Sequence, residues 1–440
     1  MTGRPNILYI IAHDLGTHLG CYGEPVLHTP ALDGLATQGI RLVNHFGTAA
    51  FCSPARGGLV TGMYPHSNGL MGLVNLGWDL PPGASTIAQS LGSVGYETFL
   101  FGMQHETKHP GRLGFHHISE RIGSTSCVHV APQVDDFLRS RTGTEQQPFY
   151  ARVGFSEVHR RYDQYSGDRA GDVRIPPFMK DTPGAREDLS MFHGAIEQLD
   201  SSVGQILDAL EESGQRDNTF VVFTTDHGIA FPRAKGTNYD PGIRTAMLMR
   251  WPDGFVGGQE FHEMVSAIDM FSTLHEASGV DIPAHVQGRS YLPLLRGEGF
   301  EARTEIFAEK NTSPDDVKRC VRTSRYKFIR NYHEGPKLPL PTDIETSLTR
   351  RDMGDEHLDP RPPVELYDLE ADPNEFNNLA GNEEMAGIEN EMSHRLEQIM
   401  GETNDPILEG PVPRPKEEAE LLRKAFQKAR EVERKSRESQ

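Results

Sequence analysis

The sequence predicts an α/β protein, with a large mixed, mostly parallel central sheet sandwiched by helices and a smaller C-terminal α+β subdomain. Three observations carry that prediction. Short apolar runs rich in β-branched residues alternate with amphipathic helical patterns from residue 6 to residue 278. Polar residues able to bind metals or move protons recur just after the apolar runs, where the carboxyl ends of parallel strands would lie. After about residue 300 the alternation stops, and strand-like runs follow without long helices between them. The expected division is an α/β domain over 1–310, an α+β subdomain over 311–410 and a charged helix or tail over 411–440.

The elements follow in order. Asn6–Ala12 reads as a buried first strand, and Pro30–Gln38 as a helix opened by Pro30 in its first turn. Ser85–Val94 reads as a helix, and Glu97–Gly102 and Phe149–Phe155 as strands. Arg186–Ser213 places Leu189, Phe192, Ile196, Leu199, Val203, Ile206, Leu207 and Leu210 on one helical face. Thr219–Thr225 and Thr245–Trp251 are strands, and Ser266–Ser278 a helix. The near-continuous apolar character of these strands fits a sheet covered on both faces. Further on, Val317–Tyr332 and Val364–Leu369 are strand-like, Glu383–Met400 is helical, and Pro336–Pro363, rich in Pro, Asp and Arg, reads as a long loop.

The 440 residues carry 44 Lys and Arg against 63 Asp and Glu, a net charge of −19, and their 36% hydrophobic content suffices for a sizeable core. The acidic balance argues against a nucleic-acid partner, which needs a basic face. It argues less strongly against a polyanionic polymer as substrate, because a local pocket can oppose the global field; a small anionic substrate is expected. No apolar run reaches the roughly 20 residues needed to span a membrane. The run Asn6–Ile11 is too short for the core of a signal peptide, so a cytoplasmic protein with no membrane partner is expected. Cys21, Cys52, Cys127 and Cys320 form no paired motif, which argues against a disulfide framework or a zinc knuckle.

Chemistry collects at the strand ends. His13 and Asp14 follow the first strand, Gln104, His105 and Glu106 follow Glu97–Gly102, and His159 follows Phe149–Phe155. Asp226 and His227 follow Thr219–Thr225, and Lys235 precedes the next strand. Asp14, Asp226 and His227, with His13, form a set of carboxylate and imidazole donors. Carboxylates suit a hard divalent cation, and imidazole moves the preference toward Mn²⁺ or Zn²⁺. Cys52 precedes Pro54, which is tolerated in a first turn, so the thiol is expected at a helix N-terminus with Arg56 one turn on. On the residues alone, Cys52 is as readily a small buried core cysteine.

The spacing Cys52-Ser53-Pro54-Ala55-Arg56, with the trailing Leu59, Thr61 and Gly62, resembles the formylglycine-dependent sulfatase family of the alkaline-phosphatase superfamily. The resemblance runs from Asn6 to about Glu409 and includes Leu19-Gly20-Cys21-Tyr22-Gly23, Thr29-Pro30-Ala31-Leu32-Asp33 and Thr224-Thr225-Asp226-His227-Gly228. Asn68–Leu73, Lys337–Asp343, Glu365–Asp368 and Glu402–Pro406 resemble the N-sulfoglucosamine sulfohydrolase branch. The resemblance implies conversion of Cys52 to Cα-formylglycine by a formylglycine-generating enzyme. It implies one divalent metal, calcium in the family, held by His13, Asp14, residue 52, Asp226 and His227. The hydrated aldehyde would attack sulfur, and elimination of sulfate would restore it. Arg56 would hold the diol and His105 assist the elimination. His159 and Lys235 would bind sulfate and protonate the leaving group, with Gln104 as a further substrate contact. The reaction implied is hydrolysis of a sulfate ester or sulfamate; the oligomeric state is left open, a homo-oligomer included.

Two positions depart from the family pattern. His13 stands where an aspartate is usual, which makes Mn²⁺ or Zn²⁺ more plausible, and Met103 stands where a lysine is usual, which removes a cation from the anion pocket. Glu106 adds a carboxylate expected to reshape the leaving-group side. These departures motivate an alternative, a phosphonate monoester or phosphodiester hydrolase on the same scaffold. A degenerate anion-binding protein without catalysis is a third.

Overall fold

The computed structural model describes residues 4–119, 124–141, 147–425 and 427–428. Its strands are β1 (Asn6–Ala12), β2 (Ile40–Leu42), β3 (His45–Phe46), β4 (Glu97–Gly102), β5 (His117–Ile118), β6 (Phe149–Gly154) and β7 (Thr219–Thr225). Then come β8 (Met247–Arg250), β9 (Gln259–Phe261), β10 (Val265–Ser266), β11 (Glu305–Lys310), β12 (Lys318–Thr323), β13 (Tyr326–Asn331) and β14 (Val364–Asp368). The large sheet runs β5-β4-β6-β1-β7-β8-β2-β9. From β5 to β7 every pairing is parallel; β8 is antiparallel to both β7 and β2, and β9 is parallel to β2. The expected mixed, mostly parallel sheet is therefore present.

Strand alternation explains the two covered faces. Leu8 and Ile10 of β1 face the core formed with the helices Cys127–Ser140 and Pro183–Glu212, while Ile7 and Tyr9 face Ile87, Leu91, Met270 and Leu274. The long helix begins at Pro183, three residues before the expected start. Thr182 caps it by accepting a hydrogen bond from the Ala185 amide at 3.1 Å. The alternating pattern missed this start because a Thr-Pro cap carries no apolar signal. The predicted apolar face is buried, with only Leu207 partly open.

The smaller sheet is an antiparallel meander, β11-β12-β13-β14, covered by the helix Ala386–Glu402 through Met392, Leu396 and Met400. Val317–Tyr332 is a hairpin, not one strand: β12 and β13 fold back at a turn in which Thr323 Oγ1 accepts from the Tyr326 amide at 3.0 Å. Pro336–Pro363, expected as a long loop, ordered or mobile, is an ordered one. It contains short helices at Thr342–Glu345 and Leu348–Met353 and a 3₁₀ turn at Glu356–Leu358. The segment crosses to the large domain, where Asp352 accepts from the Gly184 amide at 2.8 Å and Thr349 donates to Asp188 at 2.7 Å. In the tail, residues 418–425 are helical and Glu418 accepts from the Trp78 indole at 2.8 Å; Phe426 and residues 429–440 lie outside the described residues. Among the described residues no helix is long and apolar enough to cross a membrane.

Candidate active site

Strands β4, β6, β1 and β7 are neighbours and run parallel, so the segments leaving their carboxyl ends emerge side by side. They bring His105, His159, His13 with Asp14, and Asp226 with His227 to one edge. Asp14 adopts a left-handed backbone, φ 54°, which aspartate tolerates, and its amide donates to Asp226 Oδ1 at 3.0 Å. Gly228 leaves no room for a side chain: a Cβ there would lie 1.8 Å from the Pro241 carbonyl. That close approach packs the turn carrying His227 against the segment that follows Lys235.

The donor atoms of His13, Asp14, Asp226 and His227 lie within 4.8 Å of one another and are buried. His227 Nδ1 donates to the Gly228 carbonyl at 3.0 Å. That bond leaves Nε2 facing Asp14 Oδ1, 3.1 Å away. Two carboxylates and two imidazoles that converge so closely are a donor set that fits a divalent metal. Burial alone would raise both carboxyls. Lys235 and His13 nonetheless hold Asp14 well below the carboxylate range, and His13, His227 and Arg56 hold Asp226 there. Burial alone would lower His13, but Asp226 and Asp14 lift it to about 10.

Cys52 is the first residue of the helix Cys52–Thr61 and is buried, as its position before Pro54 predicted. Its sulfur lies within 4.8 Å of ring nitrogens of His13 and His105. Burial pushes the thiol up, yet His105, His13 and His227 bring it well below the usual thiol range. Arg56 is fully buried; its Nε donates to Asp226 Oδ2 at 2.9 Å and one terminal nitrogen donates to the Ala12 carbonyl at 3.1 Å. The other terminal nitrogen, Nη1, is buried without a partner.

Lys235 completes the group. Its ammonium donates to Asp14 Oδ2 at 2.8 Å and to Asp343 Oδ2 at 2.7 Å, and lies 3.4 Å from His159 Nε2. His159 is the open member, 39% exposed, with Nδ1 donating to the Arg160 carbonyl at 2.6 Å. Burial and then Lys235 lower its basicity. An open cleft of about 720 Å³ is lined by His13, Met103, His105, His159 and Arg160, so the wall that Met103 forms lacks a cation.

Two side chains sit elsewhere than the sequence suggested. Gln104 uses its amide inside its own turn, accepting from the Glu106 and Thr107 amides and donating to the Thr107 carbonyl. Glu106 does not reach the leaving-group side. It is fully buried, pairs with Arg152 of β6, and accepts from the His105 amide at 2.9 Å. An arginine in a buried strand was the signal for that partner. Asp343 was missed as a site residue because its segment reads as a loop.

The fold is an α/β sandwich with cations, imidazoles and carboxylates gathered at the carboxyl ends of its parallel strands. The chain belongs to the sulfatase family: the sulfatase family model matches residues 5–280, and the N-sulphoglucosamine sulphohydrolase C-terminal model matches residues 231–342. Human N-sulphoglucosamine sulphohydrolase is 27% identical, covering 92% of this chain and 91% of its own length. An ulvan-active sulfatase of Formosa agariphila is 26% identical, covering 92% of this chain and 76% of its own. Among solved structures, a protein bound to its substrate D-glucosamine-2-N,6-O-disulfate superposes with a TM-score of 0.75 at 19% identity, over 91% of this chain and 98% of that one. The phosphonate monoester hydrolase of Agrobacterium radiobacter superposes at 0.71 with 21% identity, over 93% and 100%. The protein is accordingly a sulfuric ester hydrolase.

Proposed function

We propose that the protein hydrolyses a sulfate ester or sulfamate of a small anionic substrate, using residue 52 after its conversion from cysteine to formylglycine. The observation that carries this reading is the placement of Cys52 at a helix N-terminus, against His13 and His105 and above the acid–imidazole cluster. Hydrated, the formyl group supplies a hydroxyl nucleophile. A divalent metal held by His13, Asp14, Asp226 and His227, together with residue 52, would supply charge neutralisation and a lowered hydroxyl pKa.

The chain's own residues do the rest. The unpartnered Nη1 of Arg56 orients the hydroxyl at residue 52. Lys235, beside the cluster, stabilises negative charge that grows on the sulfuryl oxygens and the departing atom. His159, with Nδ1–H fixed on the Arg160 carbonyl, turns Nε2 toward the Lys235 ammonium, and the pair supplies the proton that the leaving group takes up. His105 has its backbone held by Glu106 and its Nδ1 unpartnered, and it takes the proton whose loss releases sulfate. The test is the intact mass of the peptide containing residue 52 after co-expression with a formylglycine-generating enzyme, alongside turnover by Cys52→Ala. The expected result is loss of the thiol's sulfur in favour of an aldehyde, and a fall in kcat on the order of 10⁴-fold or more for the variant. A thiol that survives every maturation condition in an active enzyme contradicts the proposal.

A further inference from the structure

Beside the cleft, Lys235 and His159 have a neighbouring carboxylate that the proposed reaction does not use. Asp343 enters on the short helix Thr342–Glu345, from the segment that crosses over from the smaller sheet. Its Oδ2 is 2.7 Å from Lys235 Nζ and 3.9 Å from His159 Nε2. Its side chain is 21% exposed, and Oδ1 takes no hydrogen bond from any described residue. Lys235 does not need it for neutralisation, because Asp14 already pairs with that ammonium at 2.8 Å. Asp14 opposes this second carboxylate, but Lys235 outweighs it and holds Asp343 below the usual carboxylate range, so it stands ionised. An ionised acceptor with one oxygen free favours a ligand that brings a hydrogen-bond donor.

We propose that Asp343 is a specificity residue whose free Oδ1 accepts a hydrogen bond from an N–H or O–H donor on the leaving group. This deepens, and rests on, the sulfatase reading above. Lys235 and His159 mark the leaving-group side of that reaction, and Asp343 touches both. The oxygen of a sulfate ester bears no hydrogen once bonded to carbon and sulfur, whereas the nitrogen of a sulfamate does, and amino sugars add hydroxyls beside it. The site therefore favours a leaving group with a donor beside the scissile bond, such as a sulfamate, over one without donors. A pocket built around an acceptor discriminates by leaving that acceptor unpaired with the wrong ligand.

The experiment compares glucosamine N-sulfate with 4-nitrophenyl sulfate in the mature, metal-loaded wild type, Asp343→Ala and Asp343→Asn. For Asp343→Ala, kcat/KM on glucosamine N-sulfate falls about ten- to a hundredfold further than on the aryl sulfate, chiefly through KM. Asp343→Asn, which keeps a neutral acceptor and the side-chain shape, falls between the wild type and Asp343→Ala. Inhibition by free glucosamine weakens in Asp343→Ala while inhibition by inorganic sulfate does not, a reading independent of turnover. Equal losses on both substrates, with sulfate inhibition weakened as much as glucosamine inhibition, overturn the assignment and make Asp343 a support for Lys235. A wild type that hydrolyses neither substrate overturns the sulfatase reading itself, and the inference with it.

Discussion

His227 holds the argument for a metal at a single nitrogen. Its Nδ1–H is committed to the Gly228 carbonyl, and its Nε2 faces Asp14 at 3.1 Å. A divalent metal held here would neutralise the two buried carboxylates and would stabilise the folded state by linkage. Removing it with a chelator lowers Tm by several degrees, and the returning metal restores it; a melting curve indifferent to chelation contradicts the donor assignment. His13 tests the kind of metal. Elemental analysis of the purified protein is expected to find Mn²⁺ or Zn²⁺ if the His13 imidazole is a ligand, and calcium alone would remove it from the set. At this scale the sequence was most informative where the signal is local. Cys52, Arg56, Asp226 and His227 sit in short motifs, and the structure brings them together. Asp343 and the Glu106–Arg152 pair were not legible, because each gains its meaning from a partner in a distant stretch of chain.

The segment 336–363 shows the same limit at the scale of an element. Its composition signals turns, and turns it has, but its course is set by charges outside it. Arg361 pairs with Asp316 at 2.8 Å and donates to the Pro336 carbonyl at 3.1 Å, closing the base of the segment. Lys310 also pairs with Asp316, and Lys318, buried 3.7 Å from the same carboxylate, is lowered to about 8, mainly by burial. One carboxylate thus serves three buried cations. Asp316→Ala leaves them facing one another, and is expected to cost about 3–5 kcal/mol in urea unfolding. It also speeds hydrogen exchange across 336–363 and weakens activity through the displaced Asp343. Unchanged exchange in that segment would show that its contacts with Gly184 and Asp188 hold it alone. Strands β1, β4 and β7 matched their expected ends because each is a continuous apolar run. Strands β2, β3, β9 and β10 span only two or three residues, and β11 has Glu305, Glu309 and Lys310 among its six, so no run announced them.

For the whole molecule, the net charge of −19 belongs to the surface, while the cleft is bordered by His13, His105, His159 and Arg160 with Lys235 behind them. A compact anion can pass the surface field and reach the imidazoles and arginines of the cleft, which Glu157 and Asp163 also line. Buried histidines set the acid limit of the fold. Burial lowers His45 and His193 to about 4, and lowers His18, which shares a 2.9 Å contact with His193, in the same direction. Unfolded histidines take up protons near pH 6.5 and these do not until about pH 4. The unfolded state therefore binds more protons in that window, and stability is full above it and falls as pH drops through it. His45 and His193 each contribute up to about 3 kcal/mol to this loss by pH 4, so the urea midpoint should fall steeply between pH 6.5 and 4. A flat midpoint there would mean that both rings are protonated in the native state. The central claim is hydrolysis at sulfur, and the fold is shared with a phosphonate monoester hydrolase, so the most direct measurement is kcat/KM for four substrates on one mature preparation. These are an aryl sulfate, a sulfamate, a phosphodiester and a phosphonate monoester. The sulfate and sulfamate are expected to turn over fastest; faster turnover of the phosphodiester or phosphonate would place the reaction at phosphorus instead.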